Sequence, residues 1–146
     1  MLNEIYNKRI LELAADIPRL GRLPSPQATA RAFAKLCGSS VIVDVVLADG
    51  VVIDFAHEVK ACALGQASSS VMARLIVGST SQELREVRLA MQHMLKENSN
   101  PPQGRWADLA VFEPVRAFRE RHASTLLTFD AVVAALDEIE MQPVAR

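Results

Sequence analysis

Two β-prone runs, Val41 to Leu47 and Val51 to Val59, stand on either side of Ala48-Asp49-Gly50. β-Branched side chains suit the pleated, half-buried surface of a strand, and an Asp-Gly pair between two such runs supplies the backbone angles of a tight hairpin. Antiparallel pairing of the runs constrains what lies outside them. Whatever precedes the first strand and whatever follows the second is delivered to one end of the ribbon. Cys37 precedes the first and Cys62 follows the second, so the hairpin carries the only two cysteines of the chain to the same end of the sheet.

Lys60 to Gly78 continues from the second strand as a helical pattern. Leu64, Ala67, Val71 and Leu75 fall on one face, with Met72 and Ile76 beside it, and Gly78 is placed to stop the helix. Cys62 then sits at or just before a helix N-terminus, where unpaired N–H groups and the positive end of the macrodipole favour thiolate over thiol. The run Ser68-Ser69-Ser70 weakens a helix interior by competing for backbone hydrogen bonds, and its smallness points to close packing against a neighbour. Cysteine is also among the most buried residue types, so position alone leaves Cys62 open as an inert core residue.

The 146 residues suit one domain, 1–146, with a core of its own. Sixteen basic and seventeen acidic residues nearly cancel, which argues against nucleic acid as a partner. No apolar run spans a bilayer, and Asn3, Glu4 and Asn7 interrupt what would be a signal peptide's apolar core. A cytoplasmic protein without membrane contact is expected. There, two cysteines are buried thiols or ligands rather than a structural disulfide.

An amphipathic helix is expected over about 2–17, with Ile5, Ile10, Leu13 and Ala14 on one face and Pro18 at its end, covering the sheet. Leu20 to Gln27 is a loop leading inward. Ala28 to Leu36 is a strand or a short helical turn; periodicity leaves both open. After Gly78, Ser79-Thr80-Ser81 offers caps for a helix carrying Leu84, Val87, Ala90, Met91 and Met94 and ending near Asn98. Trp106 to Phe118 reads as a short helix broken around Pro114, and His122 or Ser124 to Glu140 as the last helix. The order predicts an α+β fold: a small antiparallel sheet built on the hairpin and packed against several helices.

Cys37, Cys62 and His122 are the candidate site, since soft thiolates and an imidazole suit zinc or iron–sulfur chemistry. His57 is read as a residue on an exposed strand face and His93 as a solvated helix side chain. No CxxC, HExxH or glycine-rich phosphate loop is present. The serine run lacks the strand–turn setting of a hydrolase nucleophile. Arg116, Arg119 and Arg121, interspersed with Glu113 and Glu120, read as a solvated or protein-docking face.

Cys37-Gly38 before a hairpin, then Ala61-Cys62 leading to Ala67-Ser68-Ser69-Ser70-Val71-Met72, resembles the U-type iron–sulfur cluster assembly scaffolds, the IscU, NifU N-terminal and SufU group. Phe118-Arg119-Glu120-Arg121-His122-Ala123-Ser124-Thr125-Leu126 is similar to the segment carrying that family's third cysteine, and the long interval after Cys62 is closer to the SufU branch. The resemblance implies the SufE/NifU-like scaffold fold, no enzymatic activity, and a cysteine desulfurase and apo iron–sulfur proteins as partners. It also implies that Cys37 and Cys62 are two of the ligands to zinc or a transient cluster, and that His122 matches a histidine preceding the third cysteine. Ser39 stands where the family has an aspartate, Ala123 where it has the third cysteine, and Ala61 where it has a glycine. One chain therefore supplies two thiolates and an imidazole, two chains could pool four thiolates in a homo-oligomer, and a protein keeping the fold to bind biogenesis partners without metal is the alternative.

Overall fold

The computed structural model describes residues 6–142. β1 (Ala28–Ala34), β2 (Ser39–Ala48) and β3 (Val51–Lys60) form an antiparallel sheet in the order β1-β2-β3. The β2–β3 turn is Asp49-Gly50, with φ of 53° and 76°. These positive angles at both central residues match the right-handed twist of the flanking strands, which is why Asp-Gly occupies them. Ala28–Ala34 resolves as a strand, paired from Ala28 with Val45 to Ala34 with Ser39.

Four α-helices are present among the described residues: α1 (Lys8–Ala15), α2 (Ala63–Leu75), α3 (Ser81–Glu97) and α4 (His122–Met141). A 3-10 segment, Gly104–Ala117, and a 3-10 turn, Arg119–Arg121, link α3 to α4. α4 is the centre of the molecule. It lies against β1 and β2 on one side and against α2 and α3 on the other. Accordingly, its buried residues run nearly all the way round, from Leu126, Leu127 and Phe129 to Val132, Ala135 and Leu136. A helix buried on more than one face shows no single apolar stripe.

α1 is shorter than the pattern suggested and has a different neighbour. Asn7 caps it, its side chain accepting from the Ile10 N–H at 3.0 Å, so the helix begins at Lys8; the expected start near residue 2 lies outside the described residues. It packs on α2 rather than on the sheet, whose inner face α4 already fills. The α1 C-terminus is tied there by the Asp16 carbonyl, which accepts from Ser70 Oγ at 3.1 Å and Arg74 Nη2 at 2.6 Å.

Two further details differ from the expectation. His57 is fully buried because it lies on the inner face of β3, opposite Val43 and beside Phe55, with Nε2 on the Pro18 carbonyl at 2.9 Å. Residues 19–21 run along the strand's edge, the Gly21 N–H donating to the His57 carbonyl at 2.8 Å and the His57 N–H to the Arg19 carbonyl at 3.2 Å. The stretch expected as a helix broken at Pro114 is instead 3-10 from Gly104 to Ala117, straight through Pro114, and ends at Phe118. α3 ends as its sequence indicates, with Thr80 Oγ1 accepting from the Glu83 N–H at 3.0 Å and Asn98 in the left-handed region at φ 55°. No helix among the described residues is long and apolar enough to cross a membrane.

Candidate thiol site

Cys37 and Cys62 come to one place on the surface. They line one pocket of about 230 Å³ with Leu36, Glu120, Arg121 and Ser124. The hairpin is the cause: its register pairs Ser40 with Lys60, so the chain entering β2 and the chain leaving β3 emerge side by side. Cys37 is exposed and Cys62 is half-buried.

The Cys37-Gly38-Ser39 turn folds the first thiol back onto its own neighbour. Gly38 has φ 70°, a conformation costly for a residue with a Cβ, and it lets the Cys37 Sγ–H reach Ser39 Oγ at 3.0 Å. Ser39 is buried and its hydroxyl can donate in return once the thiol ionises. That hydrogen bond holds the Cys37 thiol below the usual cysteine range, against the opposing effect of partial burial, with a smaller contribution from Ser124. Ser39 stands where the resembling family has a carboxylate, and here it is a hydrogen-bond partner to sulfur.

Cys62 is the N-cap residue of α2, with extended backbone angles (φ −67°, ψ 174°) and no side-chain cap bond. Its Sγ–H points instead to Ser124 Oγ at 3.5 Å, and Ser124 donates on to the Arg121 carbonyl at 3.3 Å. Ser124 is therefore the residue that joins the two thiols. The sequence shows it only as a possible helix start; its part in the site depends on how α4 meets α2, which no local pattern reveals.

That meeting is made at Gly65, where a Cβ would lie 3.2 Å from the Ser124 carbonyl oxygen. Ser68, Ser69 and Ser70 are all fully buried. Ser68 Oγ donates to the Gly65 carbonyl at 3.2 Å, which satisfies it within the helix. Arg121, on the rim of the thiol pocket, is held by Tyr6: its guanidinium donates to the phenol oxygen and lies 5.5 Å from the ring centroid. The pocket thus has one fixed positive charge beside one carboxylate, Glu120.

His122 lies elsewhere. Its Nε2 is 3.1 Å from the Val115 carbonyl and 3.2 Å from the Arg116 carbonyl, and the ring lines a separate cavity with Ala123. The reason is helical geometry: side chains two positions apart point roughly 200° apart, so with Ser124 facing the sulfurs His122 faces away. Among the described residues, no group of three or more histidine, cysteine or carboxylate side chains is arranged to hold a metal ion.

An antiparallel three-stranded sheet wrapped around a central helix, with a thiol pair at the sheet's end, defines the class of small α+β scaffold domains. The chain belongs to the NifU-like N-terminal domain family, whose profile matches residues 5–125. It is similar to the crystal structure of a nitrogen-fixing NifU-like protein (N-terminal) from Brucella abortus, at 59% identity and a TM-score of 0.96 over 97% of this chain and 99% of that one. It is also similar in fold to a putative iron–sulfur cluster assembly scaffold protein for the SUF system from Fervidobacterium islandicum, at 22% identity and a TM-score of 0.84 over 92% of this chain and 98% of that one. In sequence it is 22% identical to the iron–sulfur cluster assembly scaffold protein IscU of Thermotoga maritima, over 92% of this chain and 94% of that protein.

Proposed function

We propose that this chain works in iron–sulfur cluster assembly as a scaffold rather than an enzyme, and that Cys37 and Cys62 are its working pair. In this reading a cysteine desulfurase supplies sulfur and apo iron–sulfur proteins are the destination. The observation that carries it is the shared, solvent-reachable pocket in which both sulfurs meet serine hydroxyls.

The chemistry that suits the pair is sulfur acceptance. The Cys37 thiolate attacks the outer sulfur of a desulfurase persulfide; a bond forms between Cys37 Sγ and that sulfur, the enzyme's S–S bond breaks, and the enzyme's cysteine leaves as thiolate with the electron pair. No net oxidation occurs. Cys37 is the better acceptor because it is exposed and Ser39 lowers its pKa. Arg121 offers a positive charge to the anionic product.

The donor set of one chain does not fit a complete metal shell. A cluster normally takes four protein ligands, and a closed zinc site takes four donors of thiolate or imidazole type, whereas one chain gives two thiolates flanked by neutral hydroxyls. Four thiolates require two chains. A second reading, a scaffold fold that docks assembly partners without metal, draws on Ala123 at the third-cysteine position.

Anaerobic incubation with a cysteine desulfurase and free cysteine, followed by intact-mass analysis, tests the first reading. Wild type should gain sulfur, Cys37→Ser should lose most of that gain, and the Cys37→Ser/Cys62→Ser protein should gain none. Equal loading of the double variant sinks the assignment. Stoichiometric iron or zinc in the anaerobically purified protein would exclude the metal-free version.

A further inference from the structure

Behind the first turn of α4, on the side away from the sulfurs, lies the larger cavity that holds His122. It measures about 520 Å³, within the size of small-molecule sites, and Lys96, Asn98, Arg116, Arg119, His122 and Ala123 line it. None of its lining residues is acidic. The Lys96 and Arg119 side chains have no ion-pair or hydrogen-bond partner among the described residues; Arg31 and Lys60 are also unpartnered, but the hollow they line includes Glu58, whereas this one has no carboxylate.

Arg116 is fixed in place rather than neutralised in full. Its Nη2 donates to Glu113 at 2.9 Å and to the Ser99 carbonyl at 3.2 Å. His122 is fixed as well, through the Val115 and Arg116 carbonyls. Asn98 is held in the left-handed region at the end of α3, which sets an amide at the same mouth. Fixed donors and two uncompensated cations in one concavity are the elements of an oxyanion site. A single carboxylate would leave part of this charge unanswered; a phosphoryl group, dianionic and with three equivalent oxygens, matches it better. The whole chain is near neutral, with a net charge of −1, which disfavours a polynucleotide as the occupant.

We propose that this cavity binds a phosphoryl-bearing small molecule, with Lys96 and Arg119 as the charge-neutralising contacts and Arg116 and Asn98 as positioned donors. Ala123 lines it while Ser124 lines the thiol pocket, so the ligand is seated one residue along α4 from the sulfurs.

Titration of the full chain with inorganic pyrophosphate, followed by calorimetry and by phosphorus NMR, tests this. Saturable one-to-one binding is expected, weakened at least tenfold in Arg119→Glu and in Lys96→Glu, both changes at exposed positions. Binding should persist in Cys37→Ser/Cys62→Ser, which separates it from the sulfur chemistry proposed above. No saturable binding, or binding unmoved by either charge reversal in proteins whose circular dichroism is native, overturns the site. Citrate competing as well as pyrophosphate overturns the phosphoryl assignment.

Discussion

A Cβ built on Gly65 would lie 3.2 Å from the carbonyl oxygen of Ser124 and 2.6 Å from the Ala61 Cβ. α2 and α4 therefore approach here as closely as backbone allows, and that approach puts the Ser124 hydroxyl between the two thiols. Gly65→Ala should displace Ala61, the nearer contact, push the start of α4 outward by a few tenths of an ångström, and cost about 1–3 kcal/mol in urea unfolding. Because Ser124 lies at that start, alkylation of Cys62 should also become faster as its partner withdraws. A variant as stable as wild type with unchanged thiol reactivity would contradict the close contact.

Ser39 controls the first thiol. Removing its hydroxyl in Ser39→Ala deletes the main force lowering the Cys37 pKa, so the midpoint of the alkylation pH profile should move upward. The rate at neutral pH should fall several-fold, since the thiolate fraction falls tenfold per pH unit well below the pKa. The measurement is best made in the Cys62→Ser background, where one sulfur reports.

Asp44 has a fully buried side chain and four hydrogen bonds: from Arg22 Nε at 2.7 Å, Arg22 Nη2 at 3.1 Å, the Leu23 N–H at 2.9 Å and Thr29 Oγ1 at 2.7 Å. Burial pushes its carboxyl up, but Arg22, Thr29 and the Leu23 amide together bring it below the usual range. Asp44→Ala strands the Leu23 amide and the Thr29 hydroxyl and should destabilise by about 1–3 kcal/mol. Its contribution is present above the ordinary aspartate range and is lost as pH falls through the lowered folded value.

His57 acts in the same direction at higher pH. Burial depresses its pKa, against the Pro18 carbonyl that accepts from Nε2 at 2.9 Å, so Nδ1 is left buried without a partner. Below the free imidazole value of about 6.5 the unfolded chain binds the proton and the native chain does not, so stability declines as pH falls. Denaturation midpoints should drop between neutral pH and pH about 5.5, and His57→Gln should flatten that part of the curve. An equally steep drop in the variant would place the titrating group elsewhere.

Glu83 ties the 3-10 segment to α3, accepting from Trp106 Nε1 at 2.7 Å and from Arg105 Nη1 at 3.2 Å. Trp106 is the single tryptophan. Glu83→Ala should shift its emission and lower stability by about 1–2 kcal/mol, with the fluorescence change following the lost indole bond.

Local signals were enough for much of this architecture. Asp49-Gly50 marked the hairpin, Thr80 and Asn98 marked the ends of α3, and the hairpin alone carried Cys37 and Cys62 to a common pocket. What the sequence did not disclose depends on contacts between distant elements. Ile10 and Leu13 show that α1 has an apolar face but not that α2, rather than the sheet, receives it. His57 reads as an exposed strand residue because it is polar, although it alternates with Phe55 on the face that turns inward opposite Val43. The identity of the third group at the thiol pocket turned on the rotation of α4: the residue types around 122–124 favoured the imidazole, and the helix presents Ser124 instead.

The outer border of β3 is occupied at two places, by residues 19–21 at His57 and by Gly78 and Ser79 at Val52. On the opposite border β1 ends three residues before Cys37, and Phe33 near that end is exposed. The exposed thiol thus lies just past the end of an edge strand.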